Sequence, residues 1–195
     1  MKGNRGKRSV IFCVVVLTLL AVFSVCTIRK NYIPKSFMIK TENHFDYQNN
    51  LECSGYSTAY VLRSLGDDAN GLDIYKALEK RMDGTVDPDV LMSYLNNNGY
   101  KANRILGDLK DLKKALIKGV PVIAMVRSTP YSSYYHYLPV VGYDEEYYYT
   151  ADSLHNLITG EEEYYNRKIS INDMEKMLST EFCADYIYFT IAKKK

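Results

Sequence analysis

The fold of this chain is decided by residues 48–62, QNNLECSGYSTAYVL. Asn49 and Asn50 are typical of a turn, and the apolar residues that follow recur every three or four positions, which is the spacing of one helix face. Gly66 supplies the end of that helix. The pattern therefore predicts that Cys53 lies at or just before a helix amino terminus.

A cysteine at a helix start has a specific chemistry. The exposed backbone amides and the helix dipole stabilise negative charge there. With an imidazolium nearby, the pKa of a thiol can fall from about 8.5 to roughly 3.5–7.5. Cys53 is therefore a candidate nucleophile, and the ordinary alternative is a small buried apolar residue.

Hydrophobic periodicity predicts the remaining elements in two blocks. Four further helices are expected at 72–82, 88–98, 108–118 and 171–178, the second with Asp87 and Pro88 as cap and first residue and the last with Ser170 as its cap. Strands are expected at 37–39, 100–106, 120–126, 136–143, 147–151 and 186–191. Most of the helices precede an antiparallel sheet, so the fold class is α+β.

The hairpin around Asp144 places two reactive residue types together. In an antiparallel pair the start of one strand lies beside the end of the next. His136, at the start of one strand, and Asp152, at the end of its partner, are therefore predicted neighbours. An imidazole oriented by a carboxylate is the base that a cysteine nucleophile needs. Gln48 is the candidate side chain for an oxyanion hole, with the Cys53 amide as the backbone donor.

These motifs resemble a known family. Residues 48–62 look like the catalytic helix of papain-like cysteine peptidases. Three later stretches narrow the resemblance to the bacteriocin-processing, double-glycine-leader peptidase-like family. They are Gly119-Val120-Pro121-Val122-Ile123-Ala124, then 136–144 (HYLPVVGYD), and Ala151-Asp152. The resemblance implies a papain-like fold, a Cys53–His136–Asp152 triad and an oxyanion role for Gln48.

The sequence departs from that family in two places. The family's glutamine usually lies about one residue further from its cysteine, so Asn49, or no side chain, is an alternative to Gln48 in the oxyanion hole. Ser153 follows Asp152 where a proline is common. A second resemblance, of 52–56 (ECSGY) to NlpC-type cell-wall endopeptidases, is weaker because those enzymes usually place their histidine closer to the cysteine.

An uncharged stretch near the start predicts export. Residues 9–28, SVIFCVVVLTLLAVFSVCTI, would form a helix roughly 30 Å long, enough to cross a bilayer. The basic residues lie mostly in segment 1–8, which the positive-inside bias places in the cytoplasm. We predict a single-pass anchor, a stem at 29–45 and an extracytoplasmic domain at 46–192. The alternatives are a cleaved secretory signal, which would make the domain secreted, and a weaker one, lipidation at Cys26.

Charge and cysteine content exclude several classes of protein. The net charge is +2, but removing the six basic residues that flank 9–28 leaves 19 basic and 23 acidic residues, a net of −4 from residue 31 onward. A mildly acidic domain has no electrostatic footprint for nucleic acid. Four cysteines are too few for a disulfide-stapled domain. One Cys53–Cys183 bridge stays open as an alternative, and it would exclude a nucleophilic Cys53.

The sequence thus predicts a membrane-anchored, outward-facing bacterial cysteine peptidase. Its expected substrate is a peptide or the peptide part of peptidoglycan, and hydrolysis by thiol and imidazole requires no metal or organic cofactor. A non-catalytic peptide-binding domain of the same fold is the alternative from a different class. His44 and His155 have no partner pattern and are expected to be ordinary surface or loop residues.

Overall fold

The computed structural model of the protein describes residues 16–18, 32–179 and 186–194. Contacts divide the chain into two units, 1–34 and 35–195, and the second carries the fold. Its helices are α1 (Cys53–Ser64), α2 (Gly71–Ala77), α3 (Pro88–Asn97), α4 (Leu109–Leu116) and α5 (Ile171–Leu178). Its strands are β1 (Phe37–Met38), β2 (Tyr100–Gly107), β3 (Val122–Arg127), β4 (Tyr135–Tyr143), β5 (Tyr147–Thr150), β6 (Arg167–Ser170) and β7 (Tyr186–Lys193). The predicted α+β class is confirmed.

The strands form one antiparallel sheet. Among the described residues its order is β2-β7-β3-β4-β5-β6, and β1 pairs with the end of β4. Strand β4 lies in the middle of the sheet, and all of its residues except Tyr135 are buried. A strand covered on both faces reads as a continuous apolar run. The helix α1 packs on this central part of the sheet, so the site is built where α1 meets β4.

The two predicted helix caps, Asp87 and Ser170, are present, and Asp108 caps a third helix. The side chain of Asp87 accepts the amide hydrogen of Asp89, Asp108 accepts that of Asp111, and Ser170 accepts that of Asp173. A cap of this kind satisfies one of the backbone donors that a helix start leaves unpaired. These caps explain why the sequence predicted the helix starts well.

The second predicted helix is too long at its end. Helix α2 ends at Ala77, and Leu78 takes an extended conformation that buries its side chain in the core. The next residues form a turn in which the Arg81 amide donates to the Thr85 carbonyl oxygen at 2.8 Å. Met82, expected on the helix face, is fully exposed at this turn. Its spacing from Leu78 matched a helix by coincidence, because the backbone had already left the helix.

Two glycines bring α1 and α2 into backbone contact. A Cβ atom at Gly55 would lie 2.2 Å from the carbonyl oxygen of Gly71 and 2.7 Å from the backbone of Tyr75. Only glycine permits so close an approach of two backbones. The first turn of α1, which carries Cys53, is therefore held rigidly against α2.

Residues 35–45 pack on the domain. Ile39 is buried, and the Asn43 amide donates to the Tyr60 carbonyl oxygen at 2.8 Å and to the Ser64 hydroxyl at 2.9 Å. The later part of the predicted stem thus belongs structurally with the domain.

The predicted anchor lies almost wholly outside the described residues. Of segment 9–28 only residues 16–18 are described, and these are helical. Within the described ranges, no helix combines the length and apolar character needed to span a bilayer. Cys13, Cys26 and Cys183 also lie outside the described residues, so the anchor and the lipidation alternative stay predictions.

Candidate active site

Cys53 is the first residue of α1. The carbonyl oxygen of Glu52 accepts the amide hydrogens of Gly55 at 2.9 Å and Tyr56 at 3.1 Å. These are the first hydrogen bonds of the helix, and they start at the residue before the cysteine. Cys53 is a free thiol, so the alternative in which it is tied to Cys183 does not hold in this structure. The predicted position at a helix amino terminus is confirmed.

Three of the predicted side chains meet at this helix start. The Cys53 thiol lies beside the ring of His136, and each group shifts the pKa of the other. On the other side of the ring, Nε2 lies 2.9 Å from Oδ1 of Asp152. Because Nε2 faces the carboxylate, Nδ1 is the ring nitrogen left to exchange a proton with the sulfur. The side chains of His136 and Asp152 are 3% and 0% exposed, so water does not compete for their hydrogen bond.

The β4–β5 register explains this meeting. Val140 pairs with Thr150, so continuing the register places Asp152 opposite Leu138 and diagonal to His136. Residues two apart on one strand share a face, and diagonal neighbours on a sheet remain within reach of long side chains. The antiparallel hairpin therefore produces the contact that the sequence predicted.

The electrostatics favour an ion pair between sulfur and ring. Burial alone would raise the pKa of the Cys53 thiol, but the hydrogen bond and positive charge of His136 outweigh it, helped by the backbone amides of Tyr137 and Ser54, and the pKa is lowered. Burial likewise opposes charge on His136, yet the Asp152 carboxylate raises the pKa of the imidazole well above its usual value. The site therefore favours a thiolate beside an imidazolium.

Asp152 is held in place by hydrogen bonds from three residues: Asn166, just before β6, Arg167, the first residue of β6, and Leu154. Asn166, fully buried, clamps the Asp152 backbone with two hydrogen bonds, one to the carbonyl oxygen at 2.8 Å and one from the amide at 2.7 Å. Arg167 donates from Nη1 to Oδ2 of Asp152 at 2.6 Å. The Leu154 amide donates to Oδ1 at 2.8 Å. Burial would raise the pKa of Asp152, but His136 and Arg167 together lower it to about 2.

Neither Asn166 nor Arg167 was identified from the sequence. Arg167 is the first residue of β6 and Asn166 is the residue before it; both follow the acidic loop 160–163. Strand β6 has four residues and one apolar side chain, which is too few to show an alternation of apolar and polar residues. The available signal was topological, because a strand pairing with β5 would place its first residue beside Thr150 and next to Asp152.

Gln48 lies on the same cleft as Cys53 and His136. Its side-chain oxygen accepts from the Ser153 hydroxyl at 2.7 Å, and its backbone amide donates to the Ser153 carbonyl oxygen at 2.9 Å. Its Nε2 donates to the carbonyl oxygen of Asn50. Ser153, the residue at which the sequence departs from the family pattern, thus fixes the orientation of the Gln48 amide. Asn49, the alternative, is exposed and does not line this cleft.

The cleft has a volume of about 850 Å³ and runs past the sulfur. Its lining contains both apolar and polar side chains. One wall comes from the helical part and includes Leu51 and Val86, and the other comes from the sheet and the loop 128–134. An extended peptide is the kind of ligand that such a groove accommodates.

The two histidines expected to be ordinary surface or loop residues, His44 and His155, lie apart from this site. His44 is exposed, with Nε2 3.6 Å from the Asp46 carboxylate. The ring of His155 meets the ring of Tyr47 edge-on at 4.8 Å between centroids. No group of metal-ligating side chains occurs among the residues that the structure describes. Neither histidine contributes to the cluster at Cys53.

The fold and the cluster define a class of protein. A helix-start cysteine packed against a central antiparallel sheet that supplies a histidine and an aspartate is the arrangement of papain-like cysteine peptidases. The chain belongs to the Peptidase_C39 like family, whose sequence profile matches residues 40–181. The family resemblance stated from the motifs is thereby confirmed, and it takes precedence over the NlpC-type one. None of the curated proteins matches this chain.

Solved structures share the fold. A double glycine motif protease from an AMS/PCAT transporter, crystallised with the leader peptide, superposes with a TM-score of 0.56 at 18% identity, covering 80% of this chain and 95% of that one. The peptidase domain of Streptococcus ComA, a bi-functional ABC transporter involved in quorum sensing, gives 0.55 at 14% identity, covering 77% and 98%. A C39-like peptidase structure from Bacillus anthracis gives 0.59 at 15% identity, covering 83% and 100%.

Proposed function

We propose that this protein is a cysteine peptidase whose catalytic triad is Cys53, His136 and Asp152. The observation that carries the proposal is the adjacency of three groups: the Cys53 thiol on the cleft, the His136 imidazole beside it, and the buried hydrogen bond from that imidazole to the Asp152 carboxylate. A nucleophile, a base and an orienting group in this order are what acyl transfer requires.

The geometry gives each group one role. The Cys53 thiolate attacks the carbonyl carbon of a peptide bond, and the negative charge that develops on the oxygen is stabilised by the Cys53 amide and by Nε2 of Gln48. His136 gives its proton to the departing amine, leaving an acyl-enzyme. His136 then removes a proton from water, which attacks the thioester; the C–S bond breaks, the acyl part leaves as a carboxylic acid, and the thiolate and imidazolium are restored. Asp152 keeps the ring oriented throughout.

The proposed substrate is a peptide bound in extended form. The cleft of about 850 Å³ has Cys53 among its lining residues and is large enough for several residues of a peptide. The apolar side chains in its lining suit the side chains of a linear peptide better than a polar glycan. One structural neighbour was crystallised with a leader peptide, which supports a peptide as the ligand class for this chain as well.

The reactivity of Cys53 toward iodoacetamide tests this proposal without a known substrate. Because the pKa of the thiol is lowered, the full-length protein should be alkylated at Cys53 with a midpoint below pH ~8.5, the value of a free thiol. In His136→Ala, the largest contribution that opposes burial is lost and only the backbone amides of Tyr137 and Ser54 still lower the pKa, so the midpoint should rise. The rate at a pH of about 6 then falls about tenfold for each unit of that rise. Peptide mass spectrometry separates Cys53 from the other cysteines.

The matched control is His44→Ala, which removes an exposed histidine remote from the cluster and should leave the alkylation curve unchanged. Equally slow labelling of Cys53 in the wild-type protein and in His136→Ala would contradict the peptidase proposal. That outcome would instead support the non-catalytic peptide-binding domain.

We further propose that residues 9–28 anchor the protein, with the peptidase domain outside the cytoplasm. The support is the uncharged length of the segment and the basic residues that precede it, which are typical of a cytoplasmic flank. Protease added to intact cells should then digest the part beyond Lys30. Full protection of that part in intact cells, with digestion after lysis, would contradict the outward orientation.

A further inference from the structure

A buried arginine connects the proposed triad with the wall of the cleft. Arg167 is 6% exposed, and its two terminal nitrogens contact different parts of the molecule. Nη1 lies 2.6 Å from Oδ2 of Asp152, and Nη2 lies 2.9 Å from the carbonyl oxygen of Ser128. One rigid guanidinium therefore fixes a carboxylate and a loop at the same time.

The loop that it holds lines the cleft. The Ser128 amide donates to the Tyr134 carbonyl oxygen at 2.9 Å, and the Ser128 hydroxyl donates to the Ser132 hydroxyl at 2.8 Å. All three residues line the cleft beside His136. Because Arg167 holds the first residue of this closed loop, it sets the position of the loop relative to the imidazole.

The charge balance of the cluster also depends on Arg167. When the thiolate faces the imidazolium, the half-buried Cys53 from α1 carries one negative charge. The buried His136 from β4 carries one positive charge, and the buried Asp152 after β5 carries one negative charge. Arg167 from β6 adds a positive charge, which makes the cluster neutral. Without it, a net negative charge would remain buried, which is costly unless a proton is taken up.

A purely structural role is a poor explanation for this arginine. Asp152 already has the imidazolium as a partner, and burying a further charge does not in general stabilise a fold. The backbone of Asp152 is held independently by Asn166. What Arg167 adds is the link between the carboxylate and the cleft loop, together with the fourth charge.

We propose that Arg167 is a positioning residue that fixes the Asp152 carboxylate and the Ser128 end of the cleft loop, and thereby sets both the ion pair at Cys53 and substrate binding. The proposal rests on the proposed peptidase function for its kinetic part. The alkylation of Cys53 tests its electrostatic part independently of any substrate.

Two variants separate the two contacts. Arg167→Met removes both the charge and the hydrogen bonds, so the alkylation midpoint of Cys53 should move to higher pH by about one unit. Arg167→Lys keeps the charge but cannot form the fork to both partners, so its midpoint should stay near that of the wild-type protein. With a cleaved peptide, Arg167→Lys should raise KM about tenfold while kcat changes less, because the cleft loop is released. Lys168→Met is the control, since Lys168 is exposed on the same strand.

The outcomes distinguish this proposal from the peptidase proposal. Folding is checked by thermal unfolding, and if Arg167→Met does not fold, the KM of Arg167→Lys decides. A folded Arg167→Met with an unchanged alkylation midpoint, or an Arg167→Lys with unchanged KM, would overturn the positioning role. If the wild-type protein cleaves no peptide, the peptidase proposal fails, and the alkylation midpoint of Arg167→Met alone decides whether Arg167 controls the ion pair.

Discussion

Replacing Cys53 by serine should reduce peptide hydrolysis to background, a loss of about 10⁶-fold in kcat, as expected when the nucleophile of a catalytic unit is removed. The hydroxyl that takes the place of the thiol is far less acidic, and His136 is already protonated at neutral pH because Asp152 raises its pKa. The imidazolium therefore cannot remove the hydroxyl proton. Peptide cleavage by the full-length protein, followed by mass spectrometry with a proteome-derived peptide library, measures this loss.

The control for this variant is Cys183→Ser, which changes a cysteine that has no assigned role and should retain full activity. Both variants should unfold at the temperature of the wild-type protein, since the exchange of sulfur for oxygen alters little volume. Substantial cleavage by Cys53→Ser would mean that the hydrolysis comes from another group or from a contaminating protease.

Asp152→Asn should lower kcat by about 10⁴-fold with little change in KM, the size of effect seen when a triad carboxylate becomes an amide. The carboxylate accepts the Nε2 hydrogen of His136 at 2.9 Å and so leaves Nδ1 to exchange a proton with the sulfur. An amide can donate to Nε2 instead, which moves the proton to the wrong ring nitrogen. The loss should grow as the pH rises, because the imidazole without the carboxylate that raises its pKa also loses its proton at a lower pH.

Asp144→Asn is the matched control, because this half-buried carboxylate lies at the other end of the β4–β5 hairpin. It should retain activity. Since Arg167 loses its charged partner in Asp152→Asn, the variant should also unfold at a lower temperature, and activity is compared below that transition. A folded Asp152→Asn with kcat within about tenfold of the wild-type value would contradict the orienting role.

Local patterns in the sequence predicted much of the site. The helix that begins at Cys53 follows from apolar spacing and a turn, and the contact between His136 and Asp152 follows from one short hairpin. Both depend on neighbours close in sequence or on a single strand pairing. For that reason they could be derived without the tertiary structure.

The parts that were missed gave no local signal in the sequence, although Arg167 lies 15 positions from Asp152, no farther than His136 at 16. Arg167 and Asn166 act through β6 and its first neighbour, and the four residues of that strand are too few for a periodic signal. The bond from Ser153 to Gln48 joins residues 105 positions apart, which no local rule describes. Helix α2 was extended too far because Leu78 is buried by tertiary packing and not by a helix face.

The distance along the chain between Cys53 and His136 has a consequence for synthesis. The cysteine precedes the histidine by 83 residues, so a ribosome working at about 5–20 residues per second finishes the histidine about 4–17 s later. During that interval the sulfur has no imidazolium beside it and stays mostly protonated, as an ordinary thiol does. The nascent polypeptide therefore acquires its reactive sulfur only after His136 has been synthesised and the sheet has closed.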